Sequence, residues 1–220
     1  MSEYQYYDFR ALDRPLTPRQ QAALRALSSR AEITSTSFTN SYDLGDFRGK
    51  PLELVQRYFD AFLYLANWGT RELMFRVPAK DVPPAAVVRS YLSTDTNAAA
   101  WFRRSGANIV FGFCSEEEGG DWEMDGEGEL DSIVPVRFEL AAGDLRPLYL
   151  GWLLRVEAGE VEPEAPEPDV PAGFSRQSAG LTAMIEFLRI DGDLLAAAKA
   201  SGRSKSSRRR TVKELLASAE

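Results

Sequence analysis

Residues Pro51–Gly69, PLELVQRYFDAFLYLANWG, carry the reading on which the fold turns. Leu52, Val55, Phe59, Phe62, Leu63 and Ala66 recur at helical spacing, and Leu54, Tyr58 and Leu65 widen the apolar face. Pro51 suits the first helical position, and Gly69 suits a left-handed residue just past the end. The spacing predicts one long amphipathic helix over 51–66, closed by Asn67-Trp68-Gly69. On either side the signals change to strands. Tyr7, Phe9 and Ala11 alternate with Asp8 and Arg10 before it, as Leu73, Phe75 and Val77 do after it.

Outward from there, Thr17-Pro18-Arg19-Gln20 is a helix start with a Thr cap, an early Pro and a Gln three residues on. Residues 33–42, rich in Ser, Thr and aromatics, suit a strand. A short helix follows Pro83-Pro84, and 101–102 and 109–113 suit two strands joined across Ser105–Asn108. The order β-α-β-α-β-α-β-β predicts an α+β (mixed α/β) domain, a sheet of four to five strands covered by helices. Beyond the acidic loop 115–129 the pattern is helical. Residues 130–141 form one stripe interrupted by Pro135, and 145–156 are apolar on every side, which predicts a buried central helix. The expected organisation is a core domain over 1–159, an acidic, Pro-rich linker over 160–173 and a helical extension over 174–200. A basic segment over 201–220 follows, with Asp193 and Thr211 as helix caps and a terminal helix that lacks a stop signal.

The 220 residues include no histidine and one cysteine. That excludes Ser-His-Asp and Cys-His catalysis, HExxH zinc sites and thiolate clusters together. Cys114 stands in the apolar run 109–114 and reads as an inert thiol. No catalytic residue and no cofactor are expected. The chain carries a net charge of −7, but residues 201–220 hold +4, so residues 1–200 carry −11. The basic tract Arg203, Lys205, Arg208, Arg209, Arg210 and Lys213 is the candidate for polyanion contact; its plainer reading is a solubilising linker. In the acidic loop, Asp121, Glu123 and Asp125 mimic the first positions of a calcium loop, but Ser132 stands where a bidentate Glu belongs. Gly45–Pro51 fails as a phosphate loop, because its glycine spacing is short by one and Pro51 removes an amide. Trp68 and Arg71, beside a glycine at an element's end, are the interface candidates. Neither a secretory leader nor a membrane span is legible, so a cytoplasmic protein is expected.

The opening Tyr4-Gln5-Tyr6-Tyr7-Asp8-Phe9-Arg10-Ala11-Leu12-Asp13-Arg14-Pro15-Leu16, with Leu63–Arg71 and Leu148–Leu154, resembles a family of uncharacterised bacterial proteins. The likeness covers nearly the whole chain. It implies a bacterial, intracellular setting and continuation into a long Ala/Arg/Glu-rich helix, and it brings no catalytic residues. The functional expectation is a non-catalytic module that binds a protein partner. The alternatives are a nucleic-acid-associated factor using the basic tract and a divalent-metal carboxylate enzyme at the acidic loop.

Overall fold

Alternation along β1 (Gln5–Arg10) sets up a sheet with two covered faces: Tyr6 and Asp8 turn one way, Tyr7 and Phe9 the other. The computed structural model describes residues 3–43, 45, 47–117, 125–201 and 209–219. After β1, Thr17 caps α1 (Pro18–Leu27) with the reciprocal Thr–Gln hydrogen bonds expected of a capping box. β2 (Glu32–Ile33) and β3 (Ser37–Tyr42) follow, then α2 (Pro51–Arg57), β4 (Ala61–Ala66) and β5 (Arg71–Pro78). α3 (Ala85–Val88) leads to the hairpin of β6 (Ala100–Ser105) and β7 (Asn108–Ser115).

Among the described residues, seven strands form one antiparallel sheet in the order β2-β3-β1-β4-β5-β7-β6. The expected four to five strands are too few, and the main error lies in the segment 51–69. Only its first part is helical; 61–66 is a central strand paired with β1 on one side and β5 on the other. Ala61, Leu63 and Leu65 are buried on one face and Phe62 on the other, so the segment is apolar at nearly every position. A run buried on both faces carries no period, and its chance agreement with helical spacing is uninformative. Asp60 marks the break. Its backbone N–H donates to Arg10 O, and its carboxylate accepts from the N–H groups of Leu12 and Asp13 at 2.7 and 2.9 Å. Arg76 donates to it at 2.7 Å, which with these amides holds the carboxyl below its ordinary pKa despite burial. The second miss is β2, two residues long at the sheet edge.

One face carries α1 and α2, with Leu24, Leu54 and Val55 against Phe9, Phe38 and Phe62. The other face carries the second half of the chain: α4 (Glu129–Ile133), α5 (Pro135–Ala141), α6 (Arg146–Glu157), α7 (Ala179–Leu188), α8 (Gly192–Ser201) and α9 (Val212–Leu216). Pro135 begins α5, as its missing N–H requires. α6 is the buried central helix that its composition implies, and Gly151 lets it approach the sheet, since a Cβ there would lie 2.8 Å from the Phe113 ring. α8 is capped by Asp191, whose Oδ1 accepts from Leu194 N at 2.7 Å, and not by Asp193. The stretch 160–173 is seated on the body: Tyr91 donates to Asp169 O at 2.7 Å, Ala99 N to Glu160 Oε1 at 2.6 Å, and Glu167 is buried.

Candidate functional site

The turn between β4 and β5 holds both interface candidates, and the structure separates them. Ala66 N donates to Thr70 O at 2.9 Å and Gly69 N to Ala66 O at 3.0 Å, which closes the hairpin. Gly69 has φ of +112°, and a Cβ there would lie 1.9 Å from Glu117 O, so only glycine allows this approach. Asn67 N donates to Tyr4 O at 3.0 Å. The turn is therefore pinned from both sides. Trp68 stands at its tip with 45% of its surface exposed, its indole N–H donating to Thr70 Oγ1 at 3.0 Å.

Arg71, by contrast, is buried at 2% exposure. Its Nη1 donates to Phe187 O at 2.7 Å and its guanidinium lies 5.6 Å from the Phe187 ring centre. A cation on the last carbonyls of a helix is favourable, so Arg71 anchors the end of α7 and does not face a partner. Its burial depends on a helix 116 residues further on, which no local pattern announces. Two side chains that sequence reasoning did not single out complete the surroundings. Arg189 follows α7 in a left-handed conformation with φ of 52° and pairs with Glu117, which fixes the carbonyl that packs on Gly69.

The basic tract is partly engaged within the molecule. Arg203, Lys205 and Arg208 lie outside the described residues. Arg209 pairs with Asp169 at 2.8 Å, both exposed. Arg210 donates to the buried Glu167 through Nε at 3.0 Å and Nη2 at 3.2 Å, and the same carboxylate accepts the Tyr149 hydroxyl. Burial and the adjacent carboxylate raise the Tyr149 pKa, so it remains a neutral donor. Pro166 and Thr211 form a β-bridge, and Val212 N donates to Ala165 O at 3.0 Å. Of the described bases in the tract, Lys213 alone is exposed and forms no ion pair.

Of the metal candidates, Asp121 and Glu123 lie outside the described residues. Asp125 takes the Tyr4 hydroxyl on its carbonyl at 2.7 Å, and its Oδ1 accepts Glu127 N at 3.0 Å. Among the described residues no group of three acidic or thiol side chains is placed to hold a metal ion. Cys114 lies in β7, half-buried, with its thiol pushed up to about 12 by burial and by the carboxylates of Glu72, Glu116 and Glu160. A thiolate nucleophile needs the opposite environment. No described helix is long and apolar enough to cross a membrane. No family model, curated protein or solved structure matches this chain.

Proposed function

We propose that the protein is a non-catalytic interaction module of the bacterial cytoplasm that presents Trp68 to a protein partner. The exposure of Trp68 on a rigid turn carries the reading. A large ring with one polar edge, held in place before binding, loses little conformational freedom when a partner covers it. Tryptophans of this kind dominate binding energy where they fill a pocket on the other protein. The basic tract gives less support to a nucleic-acid role, since Arg209 and Arg210 already serve Asp169 and Glu167.

The test uses the full chain as bait in extracts of its source cell, with Trp68→Ala as the control. A partner held by the wild type and lost by the variant, at an unchanged melting temperature, supports the reading. A partner held equally by both proteins removes Trp68 from it.

A further inference from the structure

On the α1–α2 side, two cavities share part of their lining. The larger, about 320 Å³, lies between the two helices over the buried side chains of Leu24 and Leu54, with Leu27, Arg48 and Arg57 also on its wall. The smaller, about 170 Å³, is lined by Arg14, Arg57, Arg76, Thr17, Gln20 and Tyr58 among others. Arg57 and Tyr58 belong to both, so an apolar trough runs into a cationic pocket.

Three of the guanidinium groups here meet no carboxylate among the described residues. Arg14, Arg48 and Arg57 are exposed and have no ion-pair partner among the described residues. Arg76 is held by Asp60 at 2.7 Å. Among the described residues, Glu53 is the one carboxylate on the trough wall, its Oε1 already 3.1 Å from Lys50 Nζ, and none lines the smaller cavity. Gln20, also on this wall, uses its Oε1 to accept Thr17 N and Thr17 Oγ1, which leaves its amide N–H₂ as a donor. Gathering like charges this way is unfavourable unless an anion joins them, and in a chain of net −7 it is the reverse of the average surface. Guanidinium groups pair in a fork with carboxylate or phosphate oxygens. A pocket of this size admits one such group, and the adjoining trough brings the whole into the range of small-molecule sites, roughly 300–1,000 Å³. Gly45–Pro51 fails as a backbone cradle for phosphate, yet the side chain of its Arg48 lines the trough.

The geometry points to a binding site for a small amphiphilic anion, with its carboxylate or phosphate among Arg14, Arg57 and Arg76 and its apolar body between α1 and α2. The site lies at the Asp60 end of β4, while Trp68 follows the opposite end, so the two proposals stand or fall separately.

The test is titration of the full chain with anilinonaphthalene sulfonate, an aromatic body with one anionic group, followed by displacement. Saturable fluorescence, reversed by octyl phosphate or octanoate and not by octanol, is the expected result. The more effective of the two anions identifies the head group. Arg14→Gln with Arg57→Gln, both at exposed positions, weakens binding by about tenfold or more. Ala23→Trp, which fills the trough from an exposed position on its wall, does the same without touching a charge. Equal affinity in the arginine double variant, or equal displacement by octanol, would overturn the assignment.

Discussion

Replacing Arg210 by alanine tests whether the C-terminal segment is part of the fold. Glu167 retains only 4% side-chain exposure, and its carboxylate accepts from Arg210 and the Tyr149 hydroxyl. Without Arg210, the buried carboxylate keeps the phenol but loses the Arg210 guanidinium, and Ala197 O loses the Nη2 donor at 3.3 Å. Removing one member of a buried ion pair costs about 3–5 kcal/mol. Arg210 is 19% exposed, so water can enter the vacated space, which argues for the lower end, about 3 kcal/mol. For a chain of this size that corresponds to about 6–12 °C in melting temperature. Urea denaturation should show a lower midpoint with an unchanged slope. Arg209→Ala removes only an exposed pair with Asp169 and should cost about 0–1 kcal/mol. Glu167→Gln combined with Arg210→Met removes both charges and should recover much of the loss. If Arg210→Ala unfolds within about 0.5 kcal/mol of the wild type, the segment is not docked as described and the argument fails.

Two further outcomes rest on other sites. Burial raises the carboxyl of Asp8 from 3.8 to about 6 and that of Glu72 from 4.5 to about 7. Between their unfolded and folded values the native state binds more protons than the unfolded state, so stability falls as pH rises from about 4 to 7. The melting temperature should therefore be higher at pH 5 than at pH 7.5, and Glu72→Gln should flatten the difference, with about 1–3 kcal/mol attributable to this group. Asp60 acts in the opposite sense, because its lowered pKa protects the fold until the pH falls below 3.8. At Gly69, alanine meets both an unfavourable positive φ and the Glu117 carbonyl, so Gly69→Ala should cost about 2 kcal/mol or more and free Trp68 to move. A melting temperature equal to that of the wild type, with unchanged Trp68 anisotropy, would contradict the packed turn.

What could be read from the sequence divides along a physical line. β1, β5 and the β6–β7 hairpin are legible because turn residues bound them and, in β1 and β5, alternation marks the two faces. β4 is not, because a central strand with helices on both faces loses the polar positions that would reveal period two. Trp68 is legible as a surface position from the glycine that follows it. Arg71, three residues on, has the same local context and the opposite fate, decided by the end of α7. The arginines of the α1–α2 pockets lie at 14, 48, 57 and 76, too dispersed to form a motif; only folding brings them together.

The same distinction changes what the net charge means. By position in the chain, the body is acidic and the last twenty residues basic, which suggests a tail free to seek phosphate. In space, the acidic stretch 160–169 meets the basic stretch 209–213, and the two consume each other: Glu167 with Arg210, Asp169 with Arg209, and a backbone bridge between them. Opposite charges far apart in sequence lower the field that either would project alone. Among the described residues, Arg14, Arg48 and Arg57 also lack a carboxylate partner, on the other face of the sheet and in the half of the chain whose composition gives no hint of them. Polyanion affinity that survives removal of the whole segment 201–220 is expected at those arginines. It would be abolished by the Arg14→Gln, Arg57→Gln variant and competed by octyl phosphate.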